Sequence, residues 1–586
     1  MKRLGLILGI LVIASMLAAA CGGPTPQPPA APPTQVAPPT MTPVAATVAV
    51  EPTTQGARQA ATPTIAVQPS ATAGITQPPP TKATGPAVGG NLVYAVGFEV
   101  DTLDAHKSGR ISGICQYYGS SLIAKDPQTG AFIPYLAESW SIAADGMRYE
   151  FKLRGDVKFN NGATLTAQDY AWSFMRAKDP KTQSPTAGPA LTGLAIAEAT
   201  DTRTLVFKMA WPNSALMDTL ADPCYQQPLP QAYVKEKGDD FFGRRPIGVG
   251  PFRFKEWVTG QKIVLERNPD YTWGPKWTHG GPPYIATIEF RMIPEYATQI
   301  AGFEAGQIDW INPQNKDLER LDKAGKYQIF EVPTKGSGTH VAMNAVKPPF
   351  DDLRVRQALN YAINKTPFIK VVELGYAEPL YGPLTPATAG YWPGVKDFAY
   401  QYDLNKAKAL LAEAGWRDSN GDGVLDKDGK PWVIDIKVGD WAAKHAEVLQ
   451  QQLKALGARA EIQQLEQGVL YQVVGKGDFD LTIDSLGWEN FGILFPMLHS
   501  SMIGAWNRAR VTDLNDMIGA MTAAPNWDEA VKAAEALQKE IIKRAYYVPL
   551  YAGKWHIALD NRVKGVVFSP VTQRLYLQDA YIETSK

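Results

Sequence analysis

The sequence predicts a protein of the α/β class, with helices and strands alternating over most of its 586 residues. From Met147 to Arg154, apolar and charged residues alternate with a period of two, which is typical of a half-buried strand. In the C-terminal half, apolar residues recur at helical spacing instead, and two such runs end at Gly415 and Gly457. A short apolar strand follows the second run, and this order indicates α/β winding.

The predicted helices carry recognisable start signals. Thr166 and Asp169 have the spacing of a capping box, which predicts that a helix begins there. Asp403 is the expected N-cap of a second helix, which ends at Gly415. The remaining predicted elements are a helix over 442–456, strands over 458–462 and 479–483, and a helix over Trp527–Arg544.

Residues 1–21 have the layout of a secretory signal that ends at a lipidation cysteine. Two basic residues precede an apolar run from Leu4 to Ala20, and Cys21 follows directly. The segment departs from the usual pattern because Ala18 lies where a lipoprotein signal more often has leucine. The alternative is an uncleaved anchor, since about 17 apolar residues can span a bilayer. We expect a lipoprotein attached at Cys21 to the extracytoplasmic face of the membrane.

Residues 22–90 are predicted to be a disordered tether. They are mostly Pro, Thr, Ala, Gln and Gly, and their charged residues are Glu51, Arg58 and Lys82. Such a composition cannot bury enough apolar surface to offset the entropy of ordering. The folded part, from Asn91 onward, is therefore expected to move in a volume beside the membrane.

Composition excludes several classes of function. Lys and Arg together number 58, as do Asp and Glu, so a nucleic-acid partner is not favoured. Beyond Cys21 only Cys115 and Cys224 remain, too few for a cysteine zinc site. Export favours pairing of these two thiols, although both could instead be small buried hydrophobic residues. The six histidines lack ligand spacing, so no metal cage and no cofactor is expected.

One segment resembles the start of a calcium-binding loop. Its oxygen ligands at alternate positions would be Asp418, Asn420, Asp422 and Asp426. The twelfth position is Gly429, so the bidentate glutamate that completes such a loop is missing. We therefore expect a polar turn here rather than a metal site.

Several ordered segments resemble family 5 of the bacterial extracellular solute-binding proteins, the oligopeptide-, dipeptide- and nickel-binding components of ABC importers. They read DPQTG (126–130), PYLAESW (134–140), VKFNNG (157–162), GVGPF (248–252), ERNPDY (266–271) and PFDDLRVRQAL (349–359). The resemblance extends over 91–586.

The resemblance implies a two-lobed periplasmic-binding-protein fold, the large type II variant with an extra subdomain. Lobe I would comprise 91–339, with a subdomain near 131–246, and lobe II would comprise 340–555. Residues 556–586 would return to lobe I. The implied function is capture of a peptide-like solute between the lobes by a monomer, which then delivers it to a membrane permease.

The resemblance also implies a ligand site at 487–491. Peptide-binding members of the family resemble one another in having Gly-Trp followed shortly by an aspartate, and this aspartate holds the ligand's amino group. This chain keeps Gly487 and Trp488, followed by Glu489 and Asn490, but has Phe491 about where the aspartate is expected. Glu489 could supply the carboxylate instead. Alternatively, Trp488 stacks on a sugar ring, as in oligosaccharide-binding members, or belongs to the core.

Other cleft candidates are chosen by their position in loops at strand ends. They are Phe98, Glu99, Val249, Gly250 and Tyr381. We expect no catalytic residue, because no nucleophile elbow or phosphate loop is present. An extracellular glycosidase and a sensing or adhesion lipoprotein remain as alternatives.

Overall fold

The computed structural model describes residues 86–109 and 111–583. Cys21, the signal segment and nearly all of the tether lie outside these residues. Within the described part of the chain, no helix combines the length and hydropathy that crossing a membrane requires.

Strands and helices alternate as the sequence predicts, which confirms the α/β class. The strands are β1 Gly89–Val96, β2 Ile123–Lys125, β3 Phe132–Pro134, β4 Ala137–Ile142, β5 Arg148–Leu153, β6 Leu194–Ala199, β7 Thr204–Met209, β8 Phe252–Val258, β9 Lys262–Arg267, β10 Ile285–Met292, β11 Trp310–Ile311, β12 Tyr327–Pro333, β13 Gly338–Met343, β14 Ala377–Pro379, β15 Asp426–Lys427, β16 Lys430–Pro431, β17 Val433–Gly439, β18 Arg459–Leu465, β19 Leu481–Leu486, β20 Tyr547–Asp560, β21 Val563–Lys564, β22 Val567–Ser569, β23 Arg574–Tyr576 and β24 Tyr581–Ile582.

The α-helices are distributed over the same residues. They are α1 Ser112–Tyr118, α2 Ala167–Lys178, α3 Leu216–Leu220, α4 Gln231–Lys237, α5 Asp239–Arg244, α6 Tyr296–Glu304, α7 Asn315–Ala324, α8 Leu353–Ala362, α9 Lys365–Val372, α10 Val395–Phe398, α11 Leu404–Glu413, α12 Ala443–Leu456, α13 Gln467–Lys476, α14 Leu494–Leu498, α15 Asn515–Thr522 and α16 Trp527–Arg544.

Twelve strands form one sheet that two lobes share. In lobe I the order is β20-β11-β1-β10-β9-β8, with β12 also paired to β20. In lobe II the order is β18-β17-β19-β13-β20, with β14 also paired to β20. Residues Lys554–Asp560 of β20 pair with β12, whereas Tyr547–Tyr551 pair with β13. A single strand therefore belongs to both lobes.

The chain passes between the lobes at 334–337, before β13, and again within β20 near Gly553. Both crossings lie a few residues before the predicted boundaries at 339 and 555. Gly336 has φ +98°, and a Cβ there would lie 2.0 Å from the Leu486 carbonyl oxygen. Only glycine fits this position, because the first crossing is packed directly against the end of β19.

A four-stranded antiparallel sheet, β4-β5-β7-β6, forms a separate layer in the first part of lobe I. Its strand β5 is the alternating segment predicted from the sequence, and α2 packs on the buried face. Thr166 caps α2, and Asp169 accepts a hydrogen bond from the Thr166 backbone in return. The predicted capping box is thus confirmed.

Cys115 of α1 and Cys224 are joined by a disulfide in the structure, with their Cα atoms 5.1 Å apart. Both side chains are fully buried in the core of lobe I. The bridge holds α1 against the segment that leads to α4.

Candidate functional site

The edge of lobe I that faces lobe II is defined by strand direction. β1 runs parallel to β10 and β11, and both β11 and β12 run antiparallel to β20. The carboxyl ends of β1, β10, β11 and β12 therefore meet at the edge from which the chain leaves for lobe II. Loops at such an edge are where open α/β sheets bind ligands.

Lobe II presents a corresponding edge. β17 runs parallel to β18 and β19, and the end of β19 at Leu486 lies beside the start of β13 at Gly338. Trp488 and Glu489 follow β19, so the structure places them at the first crossing between the lobes. The two edges together define the candidate cleft.

Glu489 is not a free carboxylate in this cleft. Lys335, in the first crossing, donates from Nζ to Glu489 Oε2 at 2.6 Å and to the Val571 carbonyl oxygen at 2.5 Å. The side chain of Lys335 is 7% exposed, whereas that of Glu489 is 59% exposed. This ion pair joins lobe II, the crossing and the C-terminal segment of lobe I, and no local sequence pattern predicts it.

Two further charged groups lie on the lobe I side. Arg574 donates from Nη2 to Asp222 Oδ2 at 2.7 Å. Burial alone would lower the pKa of the Arg574 guanidinium, but the carboxylate of Asp222 and, more weakly, that of Glu489 raise it above its usual value. Arg574 therefore lies within electrostatic reach of the lobe II loop.

The residues predicted at 487–491 separate into two groups. Gly487 is exposed, and Trp488 is 49% exposed at the cleft edge. Phe491 is 3% exposed and packs on Trp527 with ring centroids 5.0 Å apart. Asn490 is buried and accepts the amide of Gly492 through its side chain. Asn490 and Phe491 therefore belong to the packed interior of lobe II, and their contact with ligand stays a prediction.

Val249 and Gly250 are also buried in packed structure, and their contact with ligand stays a prediction. Val249 is fully buried and accepts a hydrogen bond from Trp273 Nε1 at 2.8 Å. Gly250 donates its amide to Tyr118, and a Cβ at this position would lie 2.5 Å from the Tyr118 carbonyl carbon. Glycine is needed here because two backbone segments approach closely.

The remaining lobe I candidates follow β1. Phe98 is exposed, and Glu99 accepts the amide of Gly260 at 2.9 Å, which ties the end of β1 to the β8–β9 turn. Trp441, at the end of β17, is a further exposed aromatic residue that the sequence analysis missed. Phe98 and Glu99 stay predictions as ligand contacts.

Tyr381 lines a cavity inside lobe II together with His340, Asn360 and Tyr547. Lys365 places its Nζ 4.5 Å from the centre of the Tyr381 ring. Burial lowers the pKa of Lys365 to about 7, and no carboxylate in the described ranges forms an ion pair with its ammonium.

The loop that resembles a calcium site uses its oxygens internally. The carboxylate of Asp418 accepts the amides of Gly421 and Gly423, and that of Asp426 accepts both donors of Ser419. Asn420 and Asp422 accept amides within the same turn. Across residues 86–109 and 111–583, no group of His, Cys, Asp or Glu is arranged to hold a metal ion.

Comparison with known proteins agrees with this architecture. The family model of the bacterial extracellular solute-binding proteins, family 5, matches residues 131–496. The oligopeptide-binding protein AppA of Bacillus subtilis is 29% identical over 453 residues, which cover 74% of this chain and 81% of AppA. Heme-binding protein A of Haemophilus influenzae is 30% identical over 473 residues, covering 75% and 82% of the two chains.

A solved structure of AppA in complex with a nonapeptide has a TM-score of 0.66 and 26% identity, covering 85% of this chain and 100% of that one. The chain therefore belongs to family 5, and the two-lobed fold is confirmed. It is an extracytoplasmic substrate-binding protein of an ABC importer.

Proposed function

We propose that this chain captures peptides between its lobes and delivers them to the permease without chemical turnover. The observation that carries the proposal is the exposed Trp488 beside Glu489, where β19 ends at the first crossing. An exposed indole offers a flat apolar face for a side chain, and the adjacent carboxylate offers a hydrogen-bond acceptor. AppA, whose solved complex holds a nonapeptide, supports this ligand class.

The role proposed for Glu489 depends on its second oxygen. Oε2 is occupied by Lys335, but Oε1 has no partner among the described residues. It can therefore accept a donor from the amino end of a peptide. If Glu489 has this role, acetylation of the peptide's amino terminus should weaken its binding to the wild-type protein. The same acetylation should have little effect on binding to Glu489→Gln.

Calorimetric titration of the purified protein with a randomised short-peptide mixture and with short oligosaccharides tests the proposal. Trp488→Ala should weaken peptide binding about 10- to 100-fold, as loss of an aromatic anchor does. Trp211→Ala is the matched control, because Trp211 is equally exposed but lies on the loop after β7, away from the crossing. Binding of oligosaccharides but not peptides would contradict the proposal, and so would product formation from the bound solute.

We further propose that Cys21 carries the lipid that holds the protein at the membrane. The apolar run and the small residues before Cys21 support this proposal. The tether would then let the cleft meet solutes at some distance from the permease.

A further inference from the structure

Arg574 uses few of its hydrogen-bond donors for a side chain that is largely buried. A guanidinium has five N–H donors. Arg176 donates to Asp104 and Asp239 through three hydrogen bonds, and Arg356 donates to three backbone carbonyls. Arg574 has one hydrogen bond to any described residue, to Asp222, although its side chain is only 20% exposed.

The single partner of Arg574 is held in a fixed orientation. Asp222 Oδ1 accepts the amides of Cys224 and Tyr225 at 2.8 and 2.7 Å, which leaves Oδ2 for the guanidinium. The Cys115–Cys224 disulfide fixes this turn in the core of lobe I. Arg574 is thus positioned by a rigid support, and its remaining donors have no hydrogen-bond partner among residues 86–109 and 111–583.

The turn that leads into Arg574 lies beside the cleft. Arg574 follows the turn between β22 and β23, and Lys335 contacts the same turn through the Val571 carbonyl oxygen. Lys335 in turn pairs with Glu489, which largely offsets the negative charge nearest to the cleft. An anionic group that enters the cleft therefore meets a guanidinium without strong repulsion from Glu489.

We infer that Arg574 is a specificity-determining residue that binds a carboxylate of the solute. A guanidinium whose remaining donors are not used by the protein can give them to an anion, and its planar fork matches a carboxylate. The inference rests on the proposed peptide function. The carboxylate could be the carboxyl terminus of the peptide or an acidic side chain, and the chemistry at Arg574 is the same for both.

The experiment compares the binding of peptides with and without the carboxylate that Arg574 would recognise. A randomised short-peptide mixture, prepared once as free acids and once as C-terminal amides, is titrated into the full protein at fixed salt. Peptides that bind are identified by mass spectrometry and resynthesised as the free acid and as the C-terminal amide. Each peptide with an acidic side chain is also made as a pair that has either Glu or Gln at that position. We expect the form with the recognised carboxylate to bind about 10- to 100-fold more tightly.

Three variants separate recognition from a structural role. Arg574→Gln should abolish the preference for the carboxylate. Asp222→Asn should retain it, because the guanidinium and its free donors remain. If the Arg574–Asp222 pair were merely structural, both variants would lower binding and thermal stability alike. Arg562→Gln is the matched control on the same C-terminal segment, because Arg562 already pairs with Asp309 and Asp560.

The outcomes distinguish this inference from the function on which it rests. If no peptide binds in any form, the proposed function is overturned and the inference with it. Peptides could bind with the free acid as tight as the C-terminal amide and the Glu form as tight as the Gln form. In that case only the inference is overturned. A carboxylate preference that survives in Arg574→Gln would also overturn it.

Discussion

Nζ of Lys335 lies 2.6 Å from Oε2 of Glu489, so a nearly buried ammonium at the lobe crossing is paired with a half-exposed carboxylate. In Glu489→Gln the ammonium stays buried but loses its counter-ion, which is unfavourable because little water reaches it. We expect the free energy of unfolding to fall by about 1–3 kcal/mol, as measured by urea denaturation.

The control for this prediction is the double variant Lys335→Met with Glu489→Gln, which removes both charges. It should regain much of the lost stability, because no unpaired charge remains. A double variant less stable than Glu489→Gln alone would show that the ion pair is not the cause.

Lys365 gives a prediction that depends on pH. The pKa of its ammonium is lowered by burial to about 7, whereas in the unfolded chain it is near its ordinary value of about 10.5. Between these two pH values the unfolded state binds more protons, so the free energy of unfolding should rise with pH. Below pH 7 the full cost of the buried charge is present.

Lys365→Met should therefore stabilise the protein at pH 7, by up to about 4 kcal/mol, and by less at pH 10. Thermal unfolding at both pH values measures the difference. Lys370→Met is the matched control, since Lys370 lies on the same helix but is exposed. Equal effects of Lys365→Met at the two pH values would contradict a lowered pKa of Lys365 in the folded protein.

The disulfide closes a loop with a sequence separation of 109 residues. In the chain-entropy model, a loop of this length stabilises the folded state by about 4–5 kcal/mol. The double variant Cys115→Ala with Cys224→Ala should lower the denaturation midpoint accordingly. Thiol labelling of the denatured protein without reductant should find both cysteines unreactive, and two reactive thiols would contradict the pairing.

The proposed anchor predicts the behaviour of Cys21→Ser. Without a thiol to acylate, the protein should leave the membrane fraction and appear in the soluble extracytoplasmic fraction. Intact mass spectrometry of the wild-type protein should show a lipid mass on an N-terminal cysteine. Retention of Cys21→Ser at the membrane with an unprocessed N-terminus would instead support an uncleaved anchor.

Helices and strands were predicted well from short segments of sequence, because helix caps and apolar spacing depend on residues that are close together in the chain. The helix over Trp527–Arg544 is confirmed at both ends, since its apolar spacing and its Asn526 cap lie within the segment itself. The same holds for the capping box of α2. The family was identified from short ordered segments, such as 349–359, which contains the first part of α8.

The site was harder to predict because it depends on contacts between distant parts of the chain. Lys335 and Glu489 are 154 residues apart, and Arg574 is 352 residues from Asp222. No spacing rule connects such pairs. Phe491 and Trp488 are both aromatic and three residues apart, and packing of the first in the lobe II core, against Trp527 among others, decides that it is buried.

The strand β20 has a consequence for how the protein unfolds. Its 14 residues complete the sheet of lobe I at one end and that of lobe II at the other. If either lobe unfolded alone, β20 would have to break in its middle, near Gly553, and the half that remains paired would fray from that end. We therefore expect the lobes to melt in a single transition in scanning calorimetry, with matching calorimetric and van't Hoff enthalpies, although each has a core of its own. By sharing one strand, the two lobes are expected to form a single cooperative folding unit.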